Sequence, residues 1–561
     1  MKKLINDPRH VVREMLEGAV ARTPGQVLLS DENVVAQRDA DGARFVAPIS
    51  GGGAGHEPAH AGYVGAGMLA AAVAGDVFTS PSVDAVLAAL RAVGGDAGAV
   101  LIVKNYTGDR LNFGLAAEIA RAEGIPVEIV TVADDVALRD TVPRDRRRGI
   151  AGTVLVHKVA GAAAAAGKHV ADVAALARRA VEGLGSMGVA LGSCTVPAVG
   201  HPGFELGHDE IEYGLGIHGE PGVRRGRIDT CDVLVAGMLE PIVADLHLAR
   251  GQRVALLVNG LGATPPMELD IVLRSALGWL RERGIDVVRA WSGSQLTALD
   301  MPGCSLSVMK VDDELLALLD APTDAPSWPR GGAVNTDPIR HMPPKAVTDE
   351  PDGVPSPVGL RMRDAAAAAA NALVAAEDEL TELDGKAGDG DLGASMRRGS
   401  EAVLALGDGA WRSPEHALRA MADAMRRAIG GSSGPFYATA LTRAARELAG
   451  KDEPSARDWH TAFVAAIQAI GELGGAKPGD RTMLDALHPA AQALGRELEA
   501  GRPLSLMLAA MVEAASEGAE ATAAMEARAG RASYLGERAA GIPDGGAVAV
   551  TVWLGAIASS F

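Results

Sequence analysis

Along the first 320 or so residues, short β-branched runs alternate with longer Ala/Leu-rich stretches whose apolar positions recur at helical spacing. This alternation predicts βαβ units around a parallel or mixed sheet. Strands are expected at 44–50, 100–105, 127–133, 189–194, 254–259, 286–291 and 305–311. The Gly-, His- and acid-rich segment 200–227 reads as loops, and a boundary between two α/β subdomains falls near residue 185. Between 321 and 358 prolines crowd a stretch otherwise rich in Gly, Asp and Thr, which marks an interdomain linker. A flexible chain of about 30 residues has a root-mean-square span of about 30 Å. Beyond Pro357 the β-branched runs nearly vanish, and 362–383, 414–428, 438–449, 456–473 and 504–529 carry Ala, Leu and Met on one helical face. The alanine run Ala365 to Ala370 reads as a closely packed helix. The expected division is therefore an α/β subdomain over 1–185, a second over 186–325, a Pro-rich linker over 326–358 and an all-helical domain over 359–561.

Composition narrows the class. The 561 residues suit three or four folding units, and 3% aromatics beside 69 glycines mean that small residues build much of the core. A formal net charge of −18 disfavours nucleic acid and anionic membranes as partners, but not ATP, which a metal can escort. Cys194, Cys231 and Cys304 form no CxxC pair, arguing against a disulfide framework or a structural zinc site and fitting a reducing cytoplasm. With no signal-peptide core and no apolar stretch approaching 18 residues, a soluble intracellular protein is expected.

Four constellations carry candidate chemistry. Asp384, Asp389 and Asp391 fall within eight glycine-rich residues after an apolar helical stretch, and three carboxylates so close repel unless a cation sits among them. They are hard oxygen ligands of the kind Mg²⁺ prefers, with an acidic helix-capping turn as the bland alternative. GxGxxG occurs at Gly388, Gly390 and Gly393 and at Gly214, Gly216 and Gly219, but neither copy follows a predicted strand, and GxxxxGK[ST] is absent. The second constellation, Gly51 to His60, follows a predicted strand, where a glycine-rich loop lets backbone amides approach a small polar ligand. The strand expected at 100–105 ends in Lys104 and Asn105 and is followed by Asp109, so His56 and Asp109 could do acid/base work at one sheet edge. Third, His218 stands alone in a glycine frame, as metal ligand, base, nucleophile or simply a satisfied structural histidine. Fourth, glycine-led loops near Ser432, Gly474, Met483, Arg531 and Asp544 cap helices whose free amides suit phosphate.

Taken together, the segments around Asn6, Gly51 to His60, Gly75 to Pro81, Lys104 to Asp109, Ile217 to Gly222, Asn259 to Thr264 and the whole helical domain resemble the single-chain ATP-dependent dihydroxyacetone kinases. The resemblance implies two α/β subdomains forming a substrate module, then an antiparallel barrel of about eight helices that binds nucleotide. It also implies a homodimer. By the same resemblance His218 attacks the substrate ketone to give a hemiaminal, His56 and Asp109 bind and deprotonate the hydroxyls, and Gly53 and Lys104 line the pocket. Asp384, Asp389 and Asp391 would hold two Mg²⁺, with nucleotide contacts at Leu392, Gly393, Ala394, Ser395, Ser432, Ser433, Gly474, Met483, Arg531 and Asp544. Two positions depart from the family pattern: Gly545 stands where proline is usual, and Leu392 where a polar residue often follows the third aspartate. A ketotetrose such as erythrulose is the rival substrate, an FAD-cyclising lyase a further activity of some relatives, and a ligand-sensing regulator the alternative of another class. A hemiaminal requires a carbonyl, so polyols such as glycerol would be rejected by chemistry, whereas pocket shape alone discriminates weakly.

Overall fold

The computed structural model describes residues 2–339, 353–529, 533 and 541–561. Two compact units divide the chain, Met1–Ile339 and Arg340–Phe561. In the first unit, Gln26–Leu28 (β1), Val34–Gln37 (β2), Ala47–Ala54 (β3), Ala71–Val77 (β4), Ala99–Lys104 (β5) and Val127–Val132 (β6) form one sheet in the order β1-β2-β4-β3-β5-β6. β4, β3, β5 and β6 run parallel, and β1 and β2 close one edge antiparallel. Alternation along β5 explains the layering: Leu101 and Val103 face helices Val83–Val93 and Thr107–Ala122, while Val100 and Ile102 face Thr153–Ala165 and Val170–Glu182.

Leu184–Ala190 (β7), Glu210–Tyr213 (β8), Arg224–Arg227 (β9), Arg253–Gly260 (β10), Asp286–Gly293 (β11) and Gly303–Lys310 (β12) form the second sheet, ordered β11-β10-β12-β7-β8-β9. Only β10 and β11 are a parallel pair. One face, with Leu256, Val258, Leu306 and Val308, packs on helices Cys231–Asp245 and Pro266–Glu282. The other contributes Ala255, Leu257 and Met309 to the same core as Val100 and Ile102, so the two sheets share one interior. Helix Thr153–Ala165 runs through that interior buried from Thr153 to Ala164, which its alanines allow. A Cβ at its Gly161 would stand 2.2 Å from the Met68 Cα, so only glycine permits this approach.

All seven expected strands are present, but 189–194 is shifted to β7, and β1, β2, β4, β8 and β9 are additional. The reading of 200–227 as loops is corrected: β8 and β9 form a hairpin there, its edge strand Arg-Arg-Gly-Arg polar because one side has no neighbour. Strand β8 also leads directly into Gly214, yet no helix follows, so that GxGxxG remains unlike a dinucleotide loop.

The second unit is all-helical among its described residues. Pro357–Ala375, Leu392–Leu404, Pro414–Ala428, Ser433–Glu447, Ala456–Gly474, Leu484–Glu499, Leu504–Ala521 and Gly545–Ala558 each pack on the next, and the last returns to the first, closing a ring of eight. A ninth helix, Glu377–Ala387, leans on the seam between the first, second and last. The expected single helix over 362–383 breaks at Ala376, and that over 504–529 ends at Ala521. No helix among the described residues is long and apolar enough to cross a membrane.

Candidate active site

Strand β3 sits between its parallel neighbours β4 and β5, so the glycines at its carboxyl end open onto the edge where ligands collect in such sheets. The loop passes so close to its neighbour that a Cβ at Gly53 would stand 2.6 Å from the Thr79 nitrogen. Next comes His56, fully buried, with Nδ1 2.7 Å from the Thr297 carbonyl oxygen. A carbonyl only accepts, so Nδ1 carries the proton and donates. Nε2 is then an unprotonated acceptor, and it is buried with no partner. Burial, with Lys104 and His218 adding, holds this imidazole well below its ordinary pKa and therefore neutral.

His218 follows β8 and meets His56 edge-on at 4.9 Å between ring centroids. Its Nδ1 lies 2.9 Å from Glu220 Oε1, and its backbone N–H donates to Glu220 Oε2 at 3.0 Å. Burial works to raise the Glu220 pKa, but the hydrogen bonds it accepts from the His218 ring and backbone outweigh it and hold the group below its ordinary value. Phe78 and Tyr106 complete an aromatic cage around His218, with centroids 5.2 and 4.7 Å away. Arg148 braces the loop behind, bridging Asp135 and the Gly214 carbonyl at 2.7 Å each.

β5 delivers Lys104, and Asp109 comes from the first turn of Thr107–Ala122; both are buried. A Cβ at Gly52 would stand 2.7 Å from Lys104 Nζ and 3.5 Å from Asp109 Oδ2, so both groups border the glycine loop. Ser80 Oγ donates to Asp109 Oδ1, leaving Oδ2 on the loop side. Burial lowers the Lys104 pKa against the opposing pull of Asp109, Glu220 and Glu57. His60, four residues on from His56, is buried just before the short 3₁₀ turn Ala61–Tyr63, edge-on to His157 at 5.1 Å.

In the helical unit, short connections make the helices from Leu392–Leu404 to Leu504–Ala521 alternate in direction; the Asp544 N–H bond to Thr522 sets the start of Gly545–Ala558 beside the end of Leu504–Ala521, and the Ser356 N–H bond to the Trp411 carbonyl sets the start of Pro357–Ala375 at the other end, so loops alternate between the two ends of the ring. One end gathers the turns at 388–391, 429–432, 475–483 and the start of Gly545–Ala558. Leu392, Gly393, Ala394, Ser395, Ser432, Ser433, Gly474, Met483 and Asp544 all stand at that end; Arg531 lies outside the described residues. Asp384, at the end of Glu377–Ala387, accepts the backbone N–H groups of Asp391 at 2.9 Å and Leu392 at 3.2 Å. This folds the turn so that carboxylate oxygens of Asp384, Asp389 and Asp391 lie within 4.8 Å of one another. The nearby Lys386 is engaged by Glu382. Three hard anionic donors at that spacing fit Mg²⁺. Asp544 caps Gly545–Ala558 by accepting the Ala547 N–H at 2.8 Å, and its own N–H donates to Thr522 Oγ1 at 2.8 Å. Burial pushes its carboxyl up to about 6, with Asp485 and Asp384 also raising it against the Ala547 bond and Arg481. Sequence reasoning had no role for Arg481, which is buried and donates to the Thr522 and Ile542 carbonyls, tying two of these loops together. Nor did it give one to Glu220, Tyr106, Phe78 or Thr297; only Glu220 left a signal, two residues after His218 in the same glycine frame.

Both units match family models, the Dak1 domain over residues 17–327 and the DAK2 domain over 386–559. An α/β pocket with paired imidazoles, fused in one chain to a helical ring with a carboxylate turn, defines a kinase. The chain is 47% identical over 586 residues to a tomato (Solanum lycopersicum) protein described as "Putative 3,4-dihydroxy-2-butanone kinase", covering 99% of this chain and 98% of that one. It is 42% identical to the triokinase/FMN cyclase of Homo sapiens over 99% and 98% of the two chains. The crystal structure of the dihydroxyacetone kinase from C. freundii in complex with AMP-PNP and Mg²⁺ superposes with a TM-score of 0.64 at 34% identity, covering 100% of both chains. This chain belongs to the single-chain dihydroxyacetone kinase family.

Proposed function

We propose that the enzyme phosphorylates dihydroxyacetone with ATP, holding the ketone as a hemiaminal on His218. One observation carries this reading: two imidazoles meet at 4.9 Å, each with Nδ1 engaged in a hydrogen bond. His218 Nε2 is the nitrogen left to bond a carbonyl carbon, and neutral His56 Nε2 is the base left to take a proton from the substrate hydroxyl. Asp109 Oδ2 and Lys104 supply polar contacts to the remaining oxygens, and Gly53 lines the pocket in this reading.

Asp384, Asp389 and Asp391 would hold the two Mg²⁺ ions, which neutralise phosphate charge when bound with ATP. The amides at the loop end of the ring, around Leu392 to Ser395, Ser432 and Ser433, Gly474, Met483 and Asp544, face the nucleotide in this reading. The aligned relatives act on short polyhydroxy carbonyl compounds by their names, and the superposed structure holds AMP-PNP and Mg²⁺ by its title. We extend the reading to a homodimer working in the cytoplasm. A coupled ADP-release assay over dihydroxyacetone, both erythruloses, glyceraldehyde and glycerol tests it. Dihydroxyacetone should give the highest kcat/KM and glycerol none; an erythrulose ahead of dihydroxyacetone would reassign the substrate, and turnover of glycerol would end the covalent reading.

A further inference from the structure

The carboxylate of Glu220 is bound twice by one residue: Oε1 meets the His218 ring at Nδ1, 2.9 Å away, and Oε2 accepts the His218 backbone N–H at 3.0 Å. A backbone N–H can only donate, so the oxygen facing it is committed as an acceptor. With the carboxyl held ionised, the other oxygen is also an acceptor, and the ring must turn an Nδ1–H toward it. Within the cage of His56, Phe78 and Tyr106, the lone pair of His218 is thereby placed on Nε2. Arg148, which holds the Gly214 carbonyl and whose Nη1 would lie 2.7 Å from a Cβ at Gly216, backs the same loop.

We propose that Glu220 is a positioning residue: it fixes the tautomer of His218, leaves Nε2 as the reacting nitrogen, and offsets the positive charge the ring gains in the adduct. The inference rests on the covalent reading above. In that step the Nε2 lone pair forms the C–N bond, and the π pair of the ketone moves onto its oxygen, which takes a proton from solvent water, the hydroxide left behind passing to the bulk buffer. Nδ1 keeps its hydrogen, so the substituted ring is a cation facing the Glu220 carboxylate.

Glu220→Gln has nearly the same shape and tests the idea sharply. Its amide oxygen must take the place opposite the backbone N–H, because the NH₂ group cannot accept. The NH₂ group then donates to Nδ1, which has to surrender its proton to Nε2, blocking the nucleophile. Glu220→Ala instead leaves the ring free to choose its tautomer with water as partner. The glutamine variant should therefore be worse than the alanine variant, losing up to about 10⁴-fold in ketone turnover, the scale seen when a carboxylate orienting a catalytic histidine becomes an amide. KM for MgATP should stay unchanged in both. Each variant is assayed in the full-length enzyme for turnover and for ketone affinity by calorimetry, with thermal melts confirming the fold. Glutamine near wild type, or alanine worse than glutamine, would overturn the proposal. His218→Ala is measured alongside: if it binds and phosphorylates ketone like wild type, the covalent reading itself is wrong, a failure read without any Glu220 variant.

Discussion

His56 and His60 sit four residues apart and are both buried, yet their surroundings differ. The His56 ring meets that of His218 and keeps a buried Nε2 without a hydrogen-bond partner, whereas His60 Nδ1 lies 3.5 Å from Ser50 Oγ and its ring packs against His157. Losing a general base costs about 10² to 10⁴ in rate, so His56→Ala and Asp109→Ala should lower kcat on that scale at saturating ketone and MgATP. His60→Ala should cost far less in kcat while lowering the melting temperature, since it empties buried volume. If His60→Ala were the most damaging to turnover, the roles assigned along this loop would be wrong. The same interior makes a pH prediction. Burial lowers the pKa values of His56 and His60 well below 6.5 and that of His157 to about 3, with Lys104 adding in each case. The unfolded chain takes up protons on these rings below about pH 6.5 and the folded chain does not, so their contribution to stability is lost as pH falls through that value. Each ring contributes up to about 1.4 kcal/mol per pH unit. Melting curves between pH 7 and 5 should show a shallower acid slope for His157→Leu than for wild type; equal slopes would show that His157 is protonated when folded.

Elements were legible where the chain repeats a period over many residues. β3, β5, β6, β10, β11 and β12 are β-branched or glycine-rich runs bounded by turns, and the amphipathic helices of the ring advertise a single apolar face. β4, Ala-Ala-Val-Ala-Gly-Asp-Val, was hidden because alanine reads as helix and only pairing with β2 and β3 makes it a strand. β8 and β9 were hidden by brevity and charge: Glu-Ile-Glu-Tyr alternates over only four residues, and Arg-Arg-Gly-Arg carries no apolar residue. Of the site, residues within one motif were legible, and contacts across the fold were not. No local spacing reveals that Thr297 would orient His56, 241 residues earlier. Two departures from the family pattern prove to be neighbours, since a Cβ at Gly545 would stand 2.9 Å from Leu392 Cδ2. Leu392 fills space that a larger residue at 545 would need. Position 545 is the first of its helix, where proline is well suited, and proline at a compatible position gains about 0.4 to 1 kcal/mol. Gly545→Pro alone should be neutral or destabilising, and the pair with Leu392→Ala should show a favourable coupling of at least about 0.5 kcal/mol in a denaturation cycle. Additive effects would mean that the two positions do not share that volume.

At the scale of the whole chain, each unit has its own core: the two sheets share theirs around Thr153–Ala165, and the ring encloses Leu484, Leu487, Met511 and Val550. Asp389→Asn and Asp391→Asn should therefore weaken MgATP binding about tenfold or more, by removing anionic donors, and leave ketone affinity as it was. Calorimetry on the full-length variants with each ligand in turn checks this; ketone affinity falling in step with nucleotide affinity would contradict it.

The closed ring has a topological consequence. Because Gly545–Ala558 lies beside Pro357–Ala375 and the helices alternate in direction, the chain enters and leaves the helical unit at the end opposite the carboxylate turn. Residues 357 and 558 can thus be bridged by a short peptide and the ring reopened elsewhere, as proteins with adjacent termini tolerate. The exposed turn 450–453, between Ser433–Glu447 and Ala456–Gly474, lies on that same remote end. A circular permutant of the helical unit opened there would keep each loop of the proposed nucleotide site covalently whole, so that site would be a property of the cyclic order of the helices rather than of where the polypeptide is opened.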